Sequence, residues 1–501
     1  METPEAVAYA LFEAGRFAEA EAAWREIVER RPHDPEALHM LGYVLAESGR
    51  PQEGIAWLDQ SIALVPRNAA MRSNRAVVLH ALGRDDEATR DLRRALDIEP
   101  KLPAALHLLG NIHFDAGRFD ESLAAYRRAL AIDPRFAEAL VGVGVIQAHR
   151  GELGAAESSY RAALAIDARN PNAQINLGVL KLLTQDFAAG WDLYEARSRT
   201  QLRFDPARAP ELPRLSLENL GSARRVALWS EQGLGDQILY STLLVELERR
   251  SIAAVVEVDH RLVSAYARRF PSMRFVTAQE RAGAFRDCDF ASPVASLARL
   301  FRRDRESFAA QPAALLRADP VRVEEVRRAL GPGRWIAISW ASLQKGAREA
   351  LGRRKTIPLE CFARLAGEGG ARLLDLQYGE LAEERAQFDA RHPGVLTRLE
   401  GLDAFNDLEG VLAALEACEH VVTASNVLAH LAGALGKPTW LAYLPGREPF
   451  HYWVPGTDRR SLWYPSVEVA TDEAQASWES VFDAFAARLR ETPWAAREPT
   501  S

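Results

Sequence analysis

FDAGRFDESLAAYRRALAIDPRFAEAL, residues 114–140, contains each signal that organises the first half of the chain. Gly117 is followed by Arg118, a small residue stands at Ser122, a bulky one at Tyr126, and Pro134 closes the stretch because proline cannot extend a helix. Stepping 34 residues in either direction recovers the pattern. Gly15, Gly49, Gly83, Gly117 and Gly151 share one phase, and the first four are each followed by arginine. Small residues recur at Ala8, Gly42, Ala76, Gly110, Gly144 and Gly178, and again at Ala20, Gly54, Ala88, Ser122, Ala156 and Gly190. Such positions are where two helices must approach closely. Bulky residues follow at Trp24, Leu58, Leu92, Tyr126, Tyr160 and Tyr194, and Pro32, Pro66, Pro100 and Pro134 end successive units.

This pattern resembles the tetratricopeptide repeat. The resemblance implies six pairs of antiparallel helices, from about Pro4 to about Arg197, stacked as a right-handed solenoid because no pair can bury its apolar face alone. The sixth unit departs from the pattern, with Gln185 at the turn-glycine position, and Ala168 replaces the proline that should close the fifth. A divergent last repeat is expected to cap the stack or to dock on the domain after it. Asn74 and Asn176 share a phase, but Leu108 and Gly142 interrupt it, so no continuous asparagine ladder lines the arm.

With 501 residues the chain is too long for one core, and about three domains are expected. A net charge of -7 and a pI near 6.0 provide no basic field for a nucleic-acid backbone. Cys288, Cys361 and Cys418 lie far apart without metal-ligand spacing, which argues against a disulfide framework or a zinc site. Glu2 and Glu5 stand where a basic-then-apolar leader would, and no apolar stretch is long enough to cross a bilayer. A cytoplasmic protein is expected.

Past an Arg- and Pro-rich connection at 197–225 the pattern becomes alternating. β-rich runs at 226–230, 253–259, 335–340, 372–377, 420–425 and 439–444 are mostly separated by helical stretches, which argues for parallel sheets with crossover helices. GPGR at 331–334 marks the start of a second sheet. The expected layout is a repeat domain over 1–197, a linker over 198–224, and two Rossmann-like lobes over 225–330 and 331–501.

Two loops carry the chemical signal. EQGLGD at 231–236 should join a strand to a helix, placing Gly233, Gly235 and Asp236 at a helix N-terminus where free N–H groups favour an anion or polar acceptor. Asp236 is equally well read as an N-cap. TASNVLAHLAGALGKPTW at 423–440 repeats the design with Ser425, Asn426 and His430, read either as a pyrophosphate cradle or as a capped helix with a packed histidine. The chain has only five lysines among 62 basic residues, and Lys345, Lys355 and Lys437 fall in or beside these second-lobe loops. That bias points to places where a compact cation is wanted.

EQGLGDQILYS, WASLQKGAREALGRRKTIPL, LLDLQYGE, FNDLEG, SNVLAHLAGALGKPTW and WYPS together resemble the glycosyltransferases that bacteria fuse to tetratricopeptide repeats, above all the flagellin glycosyltransferases. A more distant similarity runs to heptosyltransferases and protein O-GlcNAc transferases. The resemblance implies a GT-B fold, a nucleotide-sugar donor, CMP- or UDP-linked, held mainly by the C-terminal lobe, and no obligatory metal or further cofactor. It implies Asp236 as general base, Ser342 and Lys345 as donor-phosphate contacts with His430 completing the cradle, and looser matches at Trp340, Arg354 and Gln377. Ser425 and Asn426 stand where many relatives carry an acidic residue and threonine. The implied activity is transfer of a sugar to Ser or Thr hydroxyls of a protein acceptor, flagellin first, selected by the repeats. Transfer to a lipopolysaccharide or capsular glycan, and a scaffold without catalysis, stay open alternatives.

Overall fold

The computed structural model describes residues 3–200, 210–231, 233–342, 355–443, 451–456, 458–470 and 477–491. The chain divides into two compact units, one mainly 1–147 and 154–173, the other mainly 174–344 and 351–501.

Helices occupy the 34-residue frame pairwise: Pro4–Glu13 with Phe17–Arg30, Pro35–Glu47 with Pro51–Leu64, Ala69–Ala81 with Asp85–Ile98, Pro103–Asp115 with Phe119–Ile132, Ala137–His149 with Leu153–Ile166, and Pro171–Leu183 with Phe187–Tyr194. The five phased glycines take positive φ, from 70° at Gly15 to 82° at Gly49. The small positions are tight. A Cβ on Gly42 would lie 2.7 Å from the Gly54 carbonyl oxygen, and one on Gly110 would lie 2.4 Å from the Tyr126 ring. Within the first unit, Asp91 is buried between Arg72 and Arg75, accepting from Arg72 Nη1 at 3.2 Å and Arg75 Nε at 2.6 Å.

The sixth repeat keeps the turn without the glycine, since Gln185 holds φ of 64°. Its residues from Gln174 onward belong to the second unit. Phe187 packs on Phe308 at 4.9 Å between ring centroids, and Trp191 meets Tyr240, His451 and Trp463 edge-on. The Trp191 indole N–H donates to the Arg302 carbonyl at 2.8 Å. The divergent repeat is therefore built into the core of the second unit.

The second unit contains two parallel sheets. Strands β1 (Arg225–Trp229), β2 (Ala253–Glu257), β3 (Arg274–Val276) and β4 (Phe290–Pro293) form the first, ordered β3-β2-β1-β4. Strands β5 (Arg334–Ser339), β6 (Ala371–Asp375), β7 (Leu396–Thr397), β8 (His420–Thr423), β9 (Thr439–Ala442) and β10 (Val467–Ala470) form the second, ordered β10-β9-β8-β5-β6-β7. β3, β4, β7 and β10 escape the sequence reading; β3 and β7, with three and two residues, are too short for a periodic signal. The stretch after EQGLGD also differs from one continuous helix. It breaks into Leu234–Ser241 and Leu244–Arg249 where the Ser241 and Thr242 hydroxyls donate back to the carbonyls of Gln237 and Leu239. One apolar core runs from Ile175 of the last repeat through β1 and β2 to β8 and β9.

Candidate functional site

Strand order marks two reversals. In the first sheet β1, β2 and β3 step one way and β4 returns to the other side of β1; in the second, β6 and β7 step away from β5 while β8 returns to its other side. In open parallel sheets ligands bind beyond the carboxyl ends of the strands at such reversals. The first reversal carries Ser230, Glu231, the helix start at 233–236 and the turn 294–296, the second the loops 340–342 and 424–426.

At the first reversal Gly233 is the cap of helix Leu234–Ser241, in extended backbone and with no side-chain cap hydrogen bond. Asp236 stands in the first turn, three residues past Gly233, which occupies the cap position. Gly233 is exposed and Asp236 half-exposed. Gly235 is required for a different reason: a Cβ there would lie 2.8 Å from His430 Cδ2. The first turn of this helix thus rests on the first turns of helix Val427–Ala434, bringing the two reversals together.

At the second reversal the polar side chains serve the loop itself. Asn426 is the N-cap, accepting from the Leu428 N–H at 3.0 Å and from the Thr423 hydroxyl at 3.2 Å, while its amide nitrogen donates to Ser339 Oγ at 2.7 Å and to the Ala341 carbonyl at 3.2 Å. Gln377 Oε1 accepts from the Ser339 hydroxyl and from the N–H groups of Trp340 and Ala341, and its amide donates to the carbonyls of Ala341 and Tyr378. Ser425 accepts from the Trp453 indole at 2.9 Å. Ser342 is buried in the same loop. Trp340 is fully buried in a hydrophobic cluster, with its indole N–H on Glu384 at 3.1 Å. Lys345 and Arg354 lie outside the described residues, and Lys437 is buried against the Glu416 carbonyl at 3.3 Å. FNDLEG at 405–410 is a capping device: Asp403, two residues ahead of it, accepts from the N–H groups of Phe405 and Asn406, and Asp407 caps the next helix and pairs with Arg322.

Electrostatics concentrate where the two helix starts meet. Burial lowers the Lys355 ammonium to about 8, opposed by the negative charge of Asp236. Burial, reinforced by Lys355, lowers His430 to about 3, so its imidazole is neutral near pH 7. His430 Nδ1 lies 3.2 Å from the Tyr464 hydroxyl, which explains the WYPS motif as a brace for this histidine. Tyr240 and Tyr464 are held neutral far above the ordinary phenol range, chiefly by burial, with Asp236 adding to both. A carboxylate, a depressed ammonium and a neutral imidazole therefore feel one another there. Lysine scarcity points to Lys355 together with Lys345 and Lys437 and does not distinguish among them. Among the described residues no group of three or more His, Cys, Asp or Glu could hold a metal ion, and no helix is long and apolar enough to cross a membrane.

Residues 6–69 and 107–196 match one tetratricopeptide-repeat family model and residues 67–135 another. The chain carries tetratricopeptide repeats, a module that supports protein interaction. It is 28% identical over 322 residues to Protein FlbA of Caulobacter vibrioides, covering 60% of this chain and 52% of that protein. The chain thus spans about half the length of this relative, and the matched share exceeds the repeat arm, so the likeness continues past it. Among solved structures, MamA aligns with a TM-score of 0.29 at 21% identity, covering 34% of this chain and 96% of that one. PilF of Pseudomonas aeruginosa aligns with a TM-score of 0.34 at 16% identity, covering 38% and 88%.

Proposed function

We propose that this chain is a metal-independent GT-B glycosyltransferase that moves a sugar from a nucleotide donor to Ser or Thr hydroxyls of a protein chosen by its repeats. The observation that carries the reading is the meeting of two sheet reversals at Gly235 and His430, with Asp236 and Lys355 in electrostatic contact beside them. A transferase of this kind needs an acceptor on one side and a departing diphosphate on the other. Asp236 takes the proton of the acceptor hydroxyl as its oxygen bonds to the anomeric carbon and the bond from that carbon to the diphosphate breaks. Lys355 and the free N–H groups behind Gly233 and Gly235 offset the charge gathering on the leaving diphosphate. A neutral His430 adds no competing cation. Asn426 and Gln377 set the shape of the donor loop, and Ser342 and Ser425 line it.

The resemblance to repeat-bearing flagellin glycosyltransferases makes flagellin the acceptor to try first, in the cytoplasm. Co-expression of the chain with a candidate flagellin, followed by intact mass, should show sugar added; an unmodified flagellin with donor present contradicts the reading. The self-contained polar network of Asn426 and Gln377 favours a second reading, a repeat scaffold whose sheets do no chemistry. That reading requires that no nucleotide bind.

A further inference from the structure

Arg197 ends the repeat arm, yet it is one of the most deeply buried charges in the chain, at 1% exposure. Its guanidinium reaches both loops of the first sheet reversal. Nε pairs with Glu231, the residue that opens the EQGLGD loop. Nη2 donates at 2.7 Å to Ser296, in the turn after β4. Nη1 holds Glu195 at 2.7 Å and the Tyr194 carbonyl at 3.2 Å, both within the last repeat. Ser296 donates in turn to Glu195 at 2.7 Å, and Arg214 reaches both Glu195 and Ser296 at 3.1 Å. The other oxygen of Glu231, Oε2, is buried with no hydrogen-bond partner among the described residues, so within them Arg197 is the side chain that holds the Glu231 carboxylate by hydrogen bond, with Arg214 adding only at longer range.

We propose that Arg197 is a positioning residue, through which the last tetratricopeptide repeat fixes Glu231 just past the carboxyl end of β1 and with it the helix start that carries Asp236. The inference rests on the transfer reaction proposed above, and gives the arm a part in catalysis besides choosing the acceptor. A planar fork suits the task because it binds a carboxylate, a hydroxyl and a carbonyl at once from fixed directions, which a lysine ammonium cannot reproduce. Displacing a reacting group by about 1 Å costs on the order of a hundredfold in rate.

The test uses the full chain and three variants: Arg197→Lys, Arg197→Met, and Arg197→Met combined with Glu231→Gln. The last removes both buried charges and guards against a failure to fold. Three readouts are taken: transfer kinetics, the melting shift produced by the donor nucleotide, and amide exchange of the peptide spanning 233–243. The expected result is a turnover number lowered on the order of a hundredfold, with donor KM and the nucleotide-induced shift within about twofold of the unaltered chain. Exchange at 233–243 should be faster, while the helix at 427–434 is unaffected. The double variant should regain melting temperature and stay slow. Transfer restored together with melting temperature in the double variant, or wild-type turnover in Arg197→Met, overturns the proposal. If the unaltered chain neither binds a nucleotide nor transfers, the transferase reading itself has failed. The exchange data then decide separately: faster exchange at 233–243 upholds the hold of Arg197 on that helix start, and unchanged exchange refutes it.

Discussion

After β8, Asn426 commits both amide hydrogens and its carbonyl oxygen to Ser339, Ala341, Thr423 and Leu428, whereas after β1 the corresponding helix starts at Gly233 with no side-chain cap and leaves Asp236 half-exposed. One helix start is closed by its own polar groups; the other has a glycine cap with no side-chain hydrogen bond. The contrast teaches that residues of similar chemistry at similar places can divide the work. The second loop is shaped by its own side chains, and under the transfer reading it is the first that supplies the reacting group.

Substitutions that fall differently on the two loops sharpen this contrast. Asp236→Asn should lower transfer by about 10²- to 10⁴-fold while the melting temperature stays near that of the unaltered chain; an unimpaired rate removes Asp236 from the role of base. Asn426→Ala should do the reverse in kind, costing about 1–2 kcal/mol in urea denaturation because a cap is lost and Ser339 and Thr423 each lose one of their hydrogen-bond partners. A silent Asn426→Ala breaks the comparison. Gly235→Ala, which thrusts a methyl against His430, should cost about 1–3 kcal/mol and weaken nucleotide binding together with stability.

pH reads the same site. Lys355 has a folded-state pKa of about 8, below that of an ordinary lysine, so it is charged below about 8 and neutral above. If its ammonium balances the leaving diphosphate, transfer should fall as pH rises through about 8, and Lys355→Arg should move that fall to higher pH. The stability sign is opposite: the unfolded chain binds this proton up to higher pH, so Lys355 penalises folding below about 8 and the penalty fades as pH climbs toward the ordinary lysine value. His430, lowered to about 3, contributes stability above the ordinary histidine value that is lost as pH falls from there toward 3. Replacing His430 with Leu should flatten that acid limb in a pH series of melting curves.

The smallest effect concerns the arm. Gln185 takes the left-handed turn that five glycines take elsewhere, a conformation costly for a residue with a Cβ. Gln185→Gly should stabilise the second unit by up to about 1 kcal/mol in thermal unfolding, after offsetting the added freedom of the unfolded chain.

Periodic features were legible in the sequence. The turn glycines, the small-residue contacts at Gly42 and Gly110, and the helix pairs all follow from a 34-residue repeat, because repetition multiplies a weak local signal. Alternation revealed parallel sheets, but β3 and β7, at three and two residues, were too brief to see. EQGLGD and SNVLAH fall at the carboxyl ends of β1 and β8, as the sequence reading placed them, yet nothing in them told that Asn426 ties its own loop together while Gly233 caps its helix without a side chain. That distinction lives in contacts between segments more than 80 residues apart, such as Ser339 with Asn426. Arg197 gave no sign at all, as one arginine in an arginine-rich connection whose burial depends on Glu231 and Ser296 far along the chain.

The central claim, that the two sheet reversals jointly hold a nucleotide-sugar, is tested most directly by melting the full chain against UDP, GDP, CMP and ADP. A ligand at about 100 times its dissociation constant stabilises by about 2.7 kcal/mol, well within reach of a thermal shift. One nucleotide should raise the melting temperature of the unaltered chain and raise that of Lys355→Met much less. A panel in which none of the four moves the melting temperature at millimolar concentration contradicts the account.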